Sequence, residues 1–106
     1  MKIFDLNNIS PRTVIPGFHG KFIHSDKATI SFWEIEAGHD LPEHSHIHEQ
    51  TTLVLNGTFQ LNIEEKRYTL KSNQLITIPP DKKHSGTAIT DCNIIDVFCP
   101  VREDYQ

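Results

Sequence analysis

Gly38-His39-Asp40-Leu41-Pro42-Glu43-His44-Ser45-His46-Ile47-His48-Glu49-Gln50, running on to Asn56-Gly57, is the stretch that decides how this 106-residue chain is read. His44 and His46 stand two apart, and side chains two apart on an extended strand point to one face. Gln50 adds an oxygen donor after a short gap. A straight strand would separate His44 from Gln50 by roughly 20 Å, whereas donors sharing one ion at about 2.1 Å each must converge within a few ångströms. The chain is therefore expected to bend after His46. A fourth donor has to come from elsewhere, and His84, which follows the turn Pro79-Pro80-Asp81-Lys82-Lys83, is the best placed. Three imidazoles and an amide oxygen suit one divalent transition metal (zinc, nickel, iron, manganese or copper) better than magnesium or calcium. A chain with seven histidines throws up close pairs by chance, so the spacing needs support from its surroundings.

The length fits one domain with a single core. A formal charge of -4, with Lys66-Arg67 and Lys82-Lys83 as the only adjacent basic residues, offers nothing that tracks a phosphate backbone, which excludes nucleic acid as a partner. The opening Met1-Lys2-Ile3-Phe4-Asp5-Leu6-Asn7-Asn8 is broken by charge and amide before a signal-peptide run can form, and no later segment spans a bilayer. The expectation is a cytoplasmic protein with no membrane contact. Cys92 and Cys99 form no CxxC pair and read as free thiols.

Residues 1–27 carry the turn signals Ser10-Pro11 and Pro16-Gly17 between short apolar pieces, and read as an arm with one or two short strands leading into a domain over 28–106. From Ala28 to Ile35 the β-formers thicken, and Ala37-Gly38 breaks them. Gln50 to Leu55 is a further strand. Asn56-Gly57 is the strongest short hairpin signal in the chain, and after it Phe59, Leu61 and Ile63 alternate with Gln60, Asn62 and Glu64. Strands are expected again over Arg67 to Leu70, Leu75 to Ile78, His84 to Thr90 and Asn93 to Cys99. No useful helical period exists anywhere, so the fold class is all-β, a sandwich or a barrel.

Gly38, His44, His46, Gln50 and Gly57 reproduce G-x5-H-x-H-x3-[EQ]-x6-G, so the stretch resembles the first motif of the cupin family. The resemblance implies a jelly-roll β-barrel. It extends to a second cupin motif, G-x5-P-x-G-x2-H-x3-N, met at Pro79 and His84 but not at Asn73, Asp81 and Ala88. Asn and Asp are the residues that best replace glycine where the backbone turns left-handed, so the first two departures are mild.

In the last strand, Asp91-Cys92-Asn93-Ile94-Ile95-Asp96-Val97-Phe98-Cys99, Asp96 is a carboxylate within an apolar run. Burying it alone is costly, so it should face a polar cavity, a cation or Arg102, and it shares one strand face with Phe98. It then either pins the tail through Arg102 or serves the site. His-Ser-His-x-His-Glu-Gln together with the terminal Ile-Asp-Val-Phe-x-Pro-x-Arg-Glu-Asp resembles the pectin-degradation cupins called KdgF. That resemblance implies metal ligands at His44, His46, Gln50 and His84, activity-linked residues at Asp96, Phe98 and Arg102, and 4,5-unsaturated monouronates as substrates, converted to linear keto sugars. Ile47 stands where many relatives carry proline. Such a protein would be a ring-opening isomerase with a sugar acid as its small-molecule substrate. A metal-dependent dioxygenase and a non-catalytic sugar-binding cupin are the alternatives. His48 falls in the bend and is expected to be exposed or to support the site, without ligating. His19, His24 and His39 have no spacing partner and read as surface or rim residues, and an exposed apolar face would make the barrel a homodimer.

Overall fold

The computed structural model describes all residues 1–106, which form ten strands: β1 (Arg12–Ile15), β2 (Phe18–His24), β3 (Thr29–Ile35), β4 (Asp40–His44), β5 (Glu49–Asn56), β6 (Phe59–Ile63), β7 (Lys66–Leu70), β8 (Gln74–Ile78), β9 (His84–Ala88) and β10 (Cys92–Cys99). Two single-turn 3-10 segments, Leu6–Asn8 and Glu103–Tyr105, are the only helical pieces. All pairings are antiparallel, in a six-stranded sheet of order β1-β2-β3-β10-β5-β8 and a four-stranded sheet of order β4-β9-β6-β7. This is the all-β class expected from the short alternating strands, in the jelly-roll arrangement that the resemblance to cupins implies.

Burial alternates along β3, β5, β9 and β10, as a period-two strand with one face inward requires. Trp33, Ile35, Val54 and Ile94 of the larger sheet meet Phe59, Leu61, Leu70 and Ala88 of the smaller one in a single core. Phe18 joins that core, and β2 pairs with β3 along its whole length.

The strand expectations hold to within a residue or two, but Asn56-Gly57 does not form the expected hairpin. β5 is already flanked by β10 and β8, so it has no free edge for β6, which pairs instead with β7 and β9 in the other sheet. The turn therefore carries the chain from one sheet to the other. Gly57 makes this possible with φ +96°, and a Cβ there would lie 2.3 Å from the carbonyl oxygen of Asp91. The left-handed positions inferred for Asn73 and Asp81 are real, with φ 68° and 66°.

Candidate metal centre

His44 ends β4 directly opposite His84 at the start of β9, so a ladder pair brings the first and last candidate ligands together. Their rings lie 4.2 Å apart, and the ring of His46 is 5.7 Å from the first and 5.1 Å from the second. One ring nitrogen from each of the three falls within 4.8 Å of the other two, a group able to hold a metal ion. Strand pairing stops at His44, and the bend occupies Ile47 and His48, after His46 as the distance argument required. The chain then re-enters β5 with Gln50 turned inward, its Oε1 3.0 Å from His46 Nε2. Two donors bound at about 2.1 Å and at right angles are about 3.0 Å apart, so this spacing fits neighbouring ligands as well as a hydrogen bond.

Two of the imidazoles are set up as lone-pair donors at Nε2. Nδ1 of His44 donates to the carbonyl of Pro42 and Nδ1 of His84 to that of Lys82, each at 2.8 Å. An Nδ1–H held by a carbonyl leaves Nε2 bare, the usual way a metal-binding histidine is oriented. His84 Nε2 is buried and has no protein partner. A buried polar atom without a partner costs free energy unless something absent from the polypeptide meets it. Burial lowers the pKa of His84, and burial together with the charge of Arg102 lowers that of His46 to about 4, so both rings keep their lone pairs at neutral pH. The residues present fit a divalent transition metal on the chemistry of the donors and on that orphaned nitrogen.

Behind Gln50 lies a polar relay. Its amide donates to Thr52 Oγ1 at 2.9 Å and, more weakly, to Asp96 Oδ1 at 3.4 Å, while the Thr52 hydroxyl donates to Asp96 Oδ1 at 2.6 Å. Asp96 faces this cavity and not a salt bridge. Burial raises its pKa to about 6, against hydrogen bonds from Thr52, Gln50 and Trp33 and the more distant charge of Arg102, which all pull the other way. Arg102 has a different partner: Nε and Nη2 hold both oxygens of Asp104 at 2.8 and 2.6 Å. Its guanidinium lies between the rings of Phe98 and Tyr105, 4.8 and 4.3 Å from their centroids. Asp96 therefore does not pin the tail; the Arg102–Asp104 pair, the backbone N–H of Arg102 on Thr29 Oγ1 and the stacked rings do that.

His44, Gln50, Asp96, Phe98 and Arg102 share one cavity of about 80 Å³. Phe98 also packs edge-on against His46, with ring centroids 5.7 Å apart. His48 stays outside the three-histidine group, its Nε2 3.3 Å from the carbonyl of Val101. His19 bridges Thr13 and Glu36, His24 bridges Thr29 and the Tyr105 carbonyl, and His39 packs against Gly17. Cys92 is buried and Cys99 exposed, both as free thiols. Thr52, Asp104 and Tyr105 escaped the sequence reading. Thr52 was within reach of it, since it shares the inward parity of Gln50 and a buried Asp96 demands donors.

The family model for the Cupin domain matches residues 31–98. No curated protein matches the chain. Among solved structures, KdgF from Halomonas sp. superposes with a TM-score of 0.93 at 24% identity, over 100% of this chain and 99% of that one. An RmlC-like cupin from Shewanella frigidimarina follows with 0.89 at 22% identity, over 94% and 91% of the two chains. A salicylate 1,2-dioxygenase from Pseudaminobacter salicylatoxidans gives 0.78 at 16% identity, over 83% of this chain but 28% of that chain. Likeness at these identities is likeness of fold. The matched region runs from β3 to β10, taking in both motifs and the three-histidine group, and on that ground the chain belongs to the cupin family.

Proposed function

We propose that this cupin is a metal-dependent enzyme that opens the ring of 4,5-unsaturated monouronates and delivers the linear keto sugar. The observation that carries the reading is Asp96, a carboxyl raised to about 6 by burial, on the wall of the cavity shared with His44, Gln50 and Arg102. His44, His46, Gln50 and His84 are the residues that would hold the ion, which supplies a Lewis acid for the substrate oxygens. Their shell is neutral, so a carboxylate is drawn to the charge it leaves uncompensated.

Ring opening moves the proton of the anomeric hydroxyl to the ring oxygen as the C1–O5 bond breaks, leaving an aldehyde at C1 and an enol at C5. A proton added at C4 and one lost from the enol oxygen give the ketone, with no net change in atoms. A group titrating near 6 can both accept and return protons at neutral pH, which is the part assigned to Asp96. Gln50 and Thr52, donating to its Oδ1, hold it in place. Arg102 meets the substrate carboxylate through Nη1, the edge that Asp104 leaves free. Phe98 offers an apolar wall to one sugar face and keeps water from it.

The test follows the absorbance of the conjugated ene-carboxylate in protein loaded with each candidate metal. Wild type should outpace buffer, and Asp96→Asn should lose about 10² or more in turnover while retaining metal. Wild type no faster than buffer across a panel of unsaturated uronates ends the assignment, and saturable binding without turnover makes the protein a sugar-binding cupin. A second reading, oxidation of an aromatic acid, draws support from the apolar inner wall formed by Phe18, Trp33, Leu41, Phe59 and Leu61. Oxygen consumption by the iron-loaded protein on adding salicylate would favour it.

A further inference from the structure

Asp104 grips the guanidinium of Arg102 from outside the cavity. Its carboxylate accepts from Nε at 2.8 Å and from Nη2 at 2.6 Å, the side edge of the planar group. The Asp104 side chain is 58% exposed and takes no part in lining the cavity, whereas Arg102 lines it with a side chain only 9% exposed. The edge that Asp104 holds is therefore turned to solvent. A guanidinium has five N–H groups, so three remain, both on Nη1 and the second on Nη2. One from each nitrogen points the same way, and together these two form a second fork along the end edge.

We propose that Asp104 is a positioning residue for carboxylate recognition: it fixes Arg102 with this second fork toward the cavity, and so makes the site select a carboxylate over its neutral ester. The inference rests on the sugar-acid reading above and assigns how the acid is told apart. Aiming a planar group takes two constraints, one on its plane and one on its rotation within that plane. The rings of Phe98 and Tyr105, 4.8 and 4.3 Å from the guanidinium carbon, set the plane. Stacking leaves the rotation free. Asp104 removes it, and the hydrogen bonds from Arg102 hold its pKa below the usual carboxylate range, so it is charged at neutral pH.

The turn that carries Asp104 is itself braced. Asp104 sits in the single-turn segment Glu103–Tyr105, where the Tyr105 N–H returns to the Arg102 carbonyl at 3.2 Å. The Tyr105 carbonyl accepts from Arg12 Nη2 at 3.1 Å and from His24 Nε2 at 3.2 Å. A carbonyl cannot donate, so His24 carries a proton on Nε2 and, as a neutral ring, accepts at Nδ1 from Thr29 Oγ1, 2.9 Å away. Thr29 Oγ1 in turn accepts the Arg102 N–H at 2.8 Å. Arg102, Thr29, His24 and Tyr105 thus close a ring of hydrogen bonds around the turn and tie both its ends to β2 and β3. Such support keeps a recognition group in one geometry.

Isothermal titration of metal-loaded protein with D-galacturonate and with its methyl ester tests this, since neither carries the double bond that the proposed reaction needs. Wild type should bind the acid about tenfold or more tightly than the ester. Asp104→Ala and Asp104→Asn should weaken the acid by about tenfold and leave the ester within about twofold, while Asp104→Glu, which keeps a charged fork, should restore most of the acid's affinity. On charge alone, losing Asp104 would tighten the binding of an anion, so tighter or unchanged acid binding in Asp104→Ala overturns the proposal. Equal loss for acid and ester in the Asp104 variants overturns it too, as does a wild type that does not tell the two apart. Absence of turnover on unsaturated uronates, with this binding pattern intact, ends the reaction proposed above and leaves the role of Asp104 standing.

Discussion

Asp96 shows how much one buried group can decide. Its pKa is raised from 3.8 to about 6, so between those values the folded protein holds a proton that the unfolded chain has lost. Stability therefore falls as pH rises through that window and is flat above it. Asp96→Asn removes the penalty: without metal, the variant should be more stable than wild type at pH 7, by on the order of 1–3 kcal/mol, with the gap closing near pH 4. Urea melts from pH 4 to 8 measure this, and a variant several kcal/mol less stable at pH 7 would return Asp96 to a tail-clamping role. The histidines give a second contrast. His46→Ala should release the bound ion, because its ring belongs to the three-histidine group, whereas His48→Ala should keep it. Metal content after gel filtration decides, and equal loss in both would move the centre. The ligand candidates could be read from spacing because a metal imposes distances on the chain. The partner of Arg102 could not, since Asp96 and Asp104 were equally available in sequence and only the packing of Tyr105 and Phe98 around the guanidinium selects the nearer one.

At the scale of elements, alternation and turn residues located nearly every strand, because both are local. Sheet membership is not local. Asn56-Gly57 has the composition of a hairpin, yet β5 has both edges taken by strands distant in sequence, and the turn crosses between sheets. Gly57→Ala should therefore cost more than the loss of glycine's flexibility alone, about 2 kcal/mol or more, since it adds a Cβ against the Asp91 carbonyl at φ +96°. Asn73→Gly should change stability by less than about 1 kcal/mol, as its backbone already lies where glycine is at ease. Chemical denaturation of the two variants compares them directly. Comparable losses in both would mean that the crossing does not depend on Gly57.

For the whole molecule, an ion held by His44, Gln50 and His84 would join β4, β5 and β9, strands drawn from both sheets, and so tie the two sheets together. Binding only to the folded state stabilises by mass action, by about 2.7 kcal/mol when free ligand is one hundred times the dissociation constant. Zinc or nickel added to metal-free protein should raise the melting temperature by several degrees and a chelator should reverse it, while His84→Ala should abolish the response. An equal rise in that variant would place the ion elsewhere. β10 lies at the middle of the larger sheet, paired along both edges with β3 and β5, and its Cys92, Ile94, Asp96 and Phe98 are buried. β7 is an edge strand paired only with β6, with Lys66 to Thr69 all exposed. Saturation mutagenesis scored for soluble, metal-bearing protein should accordingly find a nearly unbroken intolerant block from Cys92 to Phe98 and a permissive one from Lys66 to Thr69, so that lineages of this barrel can vary freely along one rim while the strand through its centre stays almost unchanged.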